Sequence, residues 1–279
     1  MRFTLAIYAI AACIFINLCG CSWSKASITE GTFDVYAPAP YTGATFSMDE
    51  KSSFKRASVQ IRKFDKETWQ LHGLTNEEAN TGGGGYKLEK SDANIAYRLL
   101  RFPVTGAFDY FSKNRISMWG LGFGLDPFPF IRASAGINSR FVEAGITAYL
   151  NLSMNNFSAK GQWISVEGTL AGDMDDYGEL DCNKCHETKF HGGFGGFLNL
   201  FPIKEFALSY APFLYRPWWD DEIQNRDISF DFPYIISQYF GASYLIAKHV
   251  QISAGTTVYL GKAFTGHYWF FDTGIGFVF

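Results

Sequence analysis

From about residue 95 to the end, the chain is written in short stretches, most of whose side chains alternate in kind, apolar then small or polar. In 250–261, "VQISAGTTVYLG", Val250, Ile252, Ala254, Thr256, Val258 and Leu260 share one face, and Gln251, Ser253, Gly255, Thr257 and Tyr259 the other. In 115–125, Trp119, Leu121, Phe123 and Leu125 oppose Gly120, Gly122 and Gly124; in 130–137, Ile131, Ala133, Ala135 and Ile137 oppose Arg132 and Ser134. Residues 141–153 and 161–171 repeat the pattern. A period of two is the signature of a strand with unlike faces. These runs last about 9 to 13 residues, the length a tilted strand needs to cross hydrocarbon (about 9–11) and well beyond the average of about 5–6 for strands in water-soluble proteins.

The polar faces carry Gly, Ser and Thr with an occasional charge. A water-soluble sandwich or lipocalin-like barrel turns its apolar face inward and should show Lys, Glu and Asp outside. Here the reverse assignment fits better: apolar residues to lipid, small and polar ones to a narrow lumen. Hydrocarbon offers no hydrogen bonds, so every peptide group must be paired internally, and a sheet achieves this only by closing. The expected fold is therefore all-β, a closed antiparallel transmembrane β-barrel. Composition agrees. Aromatic residues reach 18 % of the 279, charged ones only 18 %, and the net charge is −3, so no basic field favours nucleic acid. Apart from the first residues, no apolar run is long enough for a spanning helix.

Counting back from Phe279, the strands are expected near 95–111, 115–125, 129–138, 140–153, 161–172, 189–201, 205–216, 229–246, 249–261 and 267–279, about ten in all. Residues 54–64 form a further candidate that either makes the count twelve or pairs otherwise. Short turns at 126–128, 202–205 and 247–249 alternate with longer polar loops at 173–189 and 216–226, the asymmetry of outer-membrane barrels. An even count places both ends of the barrel on the periplasmic side. The domain reading is a signal peptide at 1–20, an N-terminal tether and loop at 21–93 with one possible extra strand, and the barrel at 94–279.

The opening "MRFTLAIYAIAACIFINLCGC" has the charged start and apolar stretch of an export signal. "LCGC", Leu18 to Cys21, resembles a bacterial lipobox, with Leu18 at −3 and Gly20 at −1. That resemblance implies a lipid on Cys21, and Ser22 after it implies sorting to the outer membrane. The last stretch, "HYWFFDTGIGFVF", resembles the C-terminal signature of bacterial outer-membrane β-barrel proteins. Phe279, Phe277, Ile275 and Phe271 occupy its aromatic and apolar places. The resemblance implies an assembly signal read by the barrel-insertion machinery, outer-membrane lipids as surroundings, and a location in the outer membrane, anchored through Cys21.

Few residues point to chemistry. "CNKCH", Cys182 to His186, has the spacing of c-type haem attachment. With His191 it also reads as a zinc set of two sulfurs and two imidazoles; a plain disulfide between Cys182 and Cys185 in an oxidising compartment is the simpler alternative. Asp109, Arg132, Glu143, Glu167 and Asp272 fall on polar faces and are expected in the lumen, pairing in a plug or lining a path for a small solute. Trp119, Tyr149, Trp163, Tyr244, Tyr268 and Trp269 are candidates for interfacial girdles. No G-x-S-x-G, H-E-x-x-H or phosphate-binding loop occurs. The functional expectation is a non-enzymatic outer-membrane barrel with a structural or surface-interaction role, or passing small solutes. The alternative is a membrane-embedded enzyme or a haem- or metal-binding redox protein using the Cys182–His186 loop.

Overall fold

A computed structural model of the chain describes residues 22–44, 46, 52–62, 66–71, 94–169, 172–216, 221–222, 227–228, 235–260 and 268–279. Their regular structure consists of strands alone: β1 (Ser22–Tyr36), β2 (Ser52–Arg62), β3 (Lys66–Leu71), β4 (Asn94–Leu100), β5 (Val104–Lys113), β6 (Ser117–Leu125), β7 (Pro129–Asn138), β8 (Val142–Thr169), β9 (Gly172–Ile203), β10 (Phe206–Arg216), the two-residue β11 (Asp221–Glu222) and β12 (Asp227–Ile228), β13 (Ile235–Ile246), β14 (Val250–Leu260) and β15 (Tyr268–Val278).

Ten of these close into a ring. The order is β2, β5, β6, β7, β8, β9, β10, β13, β14, β15 and back to β2, every neighbour antiparallel. One rim carries the tight turns 114–116, 139–141, 204–205 and 247–249, and the chain's last residue, whose backbone pairs with Lys55. Asn114 shapes the first of these turns: its side-chain oxygen accepts from the amides of Ile116 and Ser117 at 2.8 and 2.7 Å. This end is called the near rim.

Polarity is inverted relative to a water-soluble barrel. Leu121, Phe123, Ile131, Ile146, Phe194, Phe271 and Phe277 stand exposed on the outside, whereas Asp109, Glu143, Lys113 and Asn199 are buried inside. Glycine lets the wall close tightly at Gly136 and Gly145, which face each other across β7 and β8. A Cβ on Gly136 would lie 2.2 Å from the carbonyl oxygen of Ala144, so even alanine must push the two backbones apart. Gly136→Ala is expected to cost about 1–3 kcal/mol, measured as a lower urea midpoint for loss of the barrel's heat-modifiable migration. An unchanged midpoint would show that the ring absorbs the methyl group.

The count of ten matches the sequence reading, but two of its members differ. The 54–64 candidate is a full wall strand, β2, between β15 and β5. The expected strands 140–153 and 161–172 are one continuous strand, β8, of 28 residues. "SMNNFSAK" reads as a turn by composition, yet it is paired throughout, Ser153 with Lys189 and Asn156 with His186. Pairing with β9 along the segment, joined by β1 from Phe157 onward, outweighs its weak strand preference. Likewise 173–189, expected as a loop, belongs to β9. The 95–111 segment is broken before Pro103, which has no N–H to donate, into β4 and β5.

Beyond Asn151, β8 leaves β7, and before Gly192, β9 leaves β10. The two strands run on as a hairpin at the far rim. There β1 adds to β8, Phe33 opposite Phe157 and Ser22 opposite Glu167; β4 adds to β1 in parallel, and β3 to β4. Both ends of the ring, the start of β2 and Phe279, meet at the near rim as the even count implied, whereas β1, outside the ring, stands at the far rim. The signal stretch 1–20 and Cys21 lie outside the described residues.

Candidate functional site: a threaded lumen

Between β1 at the far rim and β2, which starts at the near rim, the chain must travel the length of the barrel, and it does so through the lumen. Residues 37–46, "APAPYTGATF", were expected to be a tether with little structure. Pro38 and Pro40 favour an extended path and carry no amide donors to satisfy. Gly43 sits at φ +70°, and a Cβ there would meet Glu143 Oε1 at 2.5 Å, so a side chain would be both strained and blocked.

Along its described length the segment is held by the wall at successively lower levels. Near the far rim, Arg62 donates to the carbonyl of Ala37 at 3.2 Å, and the amide of Ala39 donates to Asp126 at 2.5 Å. At mid-height the Tyr41 hydroxyl bonds Ser134 at 2.8 Å, and Asn199 donates to the carbonyl of Thr42 at 2.6 Å. Lower down, the amide of Ala44 donates to Glu143 at 3.1 Å, and Lys113 donates to the carbonyl of Phe46 at 2.9 Å. Tyr41 packs edge-on against Phe197 and lies under the Arg132 guanidinium, 4.4 Å from its ring centre. Phe46 packs on Phe54, and Phe54 on Phe111.

Buried charges fasten the wall. Asp109 accepts two bonds from Arg132, at 2.9 and 2.8 Å, and one from Arg56 at 3.0 Å. Lys113 pairs with Glu143, Arg62 with Asp126, and Arg101 with Asp272, which also accepts from Thr257. Facing lipid, such groups would cost about 2–4 kcal/mol each for Arg or Lys; facing inward, they find partners.

Of the residues singled out from sequence, Asp109 and Arg132 meet each other, Glu143 meets Lys113, and Asp272 meets Arg101. Glu167 is the exception. It belongs to the part of β8 that has left the ring, opposite Ser22 and Met174, so it is not a lumen residue. The reading missed Arg56, Arg62, Arg101, Lys113 and Asp126. The first two were findable, because Arg56, Ser58, Gln60 and Arg62 alternate with Ala57, Val59 and Ile61.

At the far rim, Cys182 and Cys185 are joined as a disulfide, spanning a bulge where β9 has one residue too many against Phe157–Ala159. Lys184 inside it takes a positive φ of 60°. His186 is exposed and bonds Asn156 at 2.6 Å; His191 is fully buried beside Tyr215. Five positions apart on one strand, the two imidazoles face opposite ways, so the zinc set does not converge. A haem would need both thiols free for thioether bonds, and here Cys182 and Cys185 are joined to each other.

Phe271, Ile275, Phe277 and Phe279 all stand on the outer face. So do Trp119, Tyr244 and Trp269, but Tyr149 points inward and is buried against Phe130 and Phe213. The side chains of Trp163 and Tyr268 lie outside what is described.

Beside the threaded segment lies a cavity of about 50 Å³, bordered by β2 and β5 and by the wall of β10, β13, β14 and β15.

No protein-family model and no curated protein matches the sequence. A solved structure described as the CymD monoaromatic hydrocarbon channel aligns over 83 % of this chain and 88 % of its own, at 9 % identity and a TM-score of 0.32. The closed barrel thus rests on the strand pairing itself.

Proposed function

We propose that this protein spans the bacterial outer membrane as a barrel closed to ions by its own N-terminal segment, and that its role is non-enzymatic display of the far-rim sheet for surface interaction. The observation that carries the reading is the passage of residues 37–46 down the lumen, bonded at every level, within a wall whose outer face is apolar. The barrel-type C-terminus supports placing the near rim in the periplasm and the far rim, with β1 and the β8–β9 hairpin, outside. On that orientation Cys21 precedes a strand at the outer face, and a lipid there would be carried to the exterior.

The redox or metal alternative has less support, since Cys182 and Cys185 hold each other and His191 faces away. An epitope inserted between Thr169 and Gly172 should bind antibody on intact cells, and one inserted between Lys204 and Glu205 only after permeabilisation. The opposite pattern, or protection of both, would reject the orientation. Purified protein in planar bilayers should give closed traces; steady open conductance would reject the closed lumen.

A further inference from the structure

The threaded segment is gripped most visibly along one arc of the wall. Its hydrogen bonds described above run to β2, β5, β7, β8, β9 and the Asp126 turn. Beside it lies the cavity of about 50 Å³, bordered on one side by Arg56, Gln60 and Thr105 and on the other by Ser209, Ser243, Gln251, Ser253, Gly274 and Gly276. Apart from Tyr41 and Tyr239, this seam is lined mostly by small and hydrogen-bonding groups. Two polar atoms beside it, Arg56 Nε and Gln60 Oε1, have no hydrogen-bond partner among the described residues. One is a donor and the other an acceptor, and each side chain lines the cavity. Buried polar atoms left unpaired cost about 1–3 kcal/mol each, so the seam favours an occupant that both accepts and donates.

Size and charge narrow the class. The space suits about three to five waters, or one small molecule of comparable bulk. The charged groups that border it, Arg56, Arg132 and Asp272, already belong to ion pairs with Asp109 and Arg101. An ion entering would have to shed water with no free counter-charge to replace it, whereas an amide or hydroxyl solute needs only hydrogen bonds. At one end, Tyr239 lies across Gly241 and Gly255, where added Cβ atoms would come within 2.1 and 2.4 Å of its hydroxyl. Its ring restricts the seam.

We propose that this seam is a binding site and path for small, uncharged, hydrogen-bonding solutes of urea or glycerol size, crossing between the threaded segment and the serine- and glycine-lined wall. The proposal rests on the membrane-spanning reading, and the test separates the two. The full-length protein is reconstituted into phospholipid vesicles, checked for flotation with them and for heat-modifiable migration, and followed by light scattering after mixing with urea, glycerol or sucrose. Urea and glycerol should enter faster than into protein-free vesicles, with sucrose excluded. Ser253→Leu should return entry to the protein-free baseline, and Tyr239→Ala should speed it, both with migration unchanged. If folded protein floats with the vesicles but admits neither urea nor glycerol, the cavity holds water only and the proposal falls. Free entry of sucrose, or an unaltered rate in folded Ser253→Leu, also overturns it. Failure to float would remove the membrane reading itself, and the path with it.

Discussion

Replacing Asp109 with alanine is expected to destabilise the folded barrel by about 3–5 kcal/mol, the usual cost of stripping the partner from a buried charge. One carboxylate holds two guanidiniums, Arg132 in a two-point grip and Arg56 through a single bond, and all three residues are buried. Gly122 makes room for the cluster: a Cβ there would sit 2.1 Å from Asp109 Oδ1. The arginines keep weaker support from the rings of Tyr41, Phe130 and Phe111, which offsets only part of the loss. Asp109→Ala combined with Arg132→Met should recover part of the stability, because an apolar replacement of both members of a buried pair is often neutral. The readout is the urea midpoint of heat-modifiable migration in vesicles. Equal midpoints for Asp109→Ala and the parent would mean that the cluster contributes nothing to holding β2, β5 and β7 together.

Glu143→Ala should act on both stability and closure. The carboxylate is fully buried and serves three groups at once: the Lys113 ammonium, the Asn199 side-chain amide and the backbone amide of Ala44 in the threaded segment. Its loss leaves Lys113 with the Phe46 carbonyl as hydrogen-bond acceptor but without its counter-charge, again about 3–5 kcal/mol. It also frees the lower half of the segment from β8. Brief openings should then appear in planar-bilayer recordings where the parent stays closed. Traces that remain closed in a variant shown to be folded would mean that packing of Tyr41, Phe46 and Phe54, rather than the Glu143 bond, keeps the segment seated.

These two sites differ in how visible they are before folding. Asp109, Arg132 and Glu143 stand on the polar side of alternating segments, so their inward direction is readable from parity. Their partners are not. Lys113 and Glu143 are separated by two intervening strands, β6 and β7, and meet only because the curved wall turns both side chains into the lumen. Glu167 shows the limit of parity: it has the right phase on β8 but lies past the point where the strand leaves the ring.

Alternation, strand length and the aromatic C-terminus by themselves determined that the chain forms a closed sheet with an apolar exterior, since the direction of a side chain from a strand is a local property with period two. Only the tertiary structure decided that β2 closes the ring between β15 and β5, that β8 and β9 run on past the far rim, and that residues 37–44 and 46 thread the lumen. Strand partners are chosen by hydrogen bonds between distant residues, which leave no mark on local pattern. A segment enclosed by the wall on every side has no outward face, so it carries no period to read.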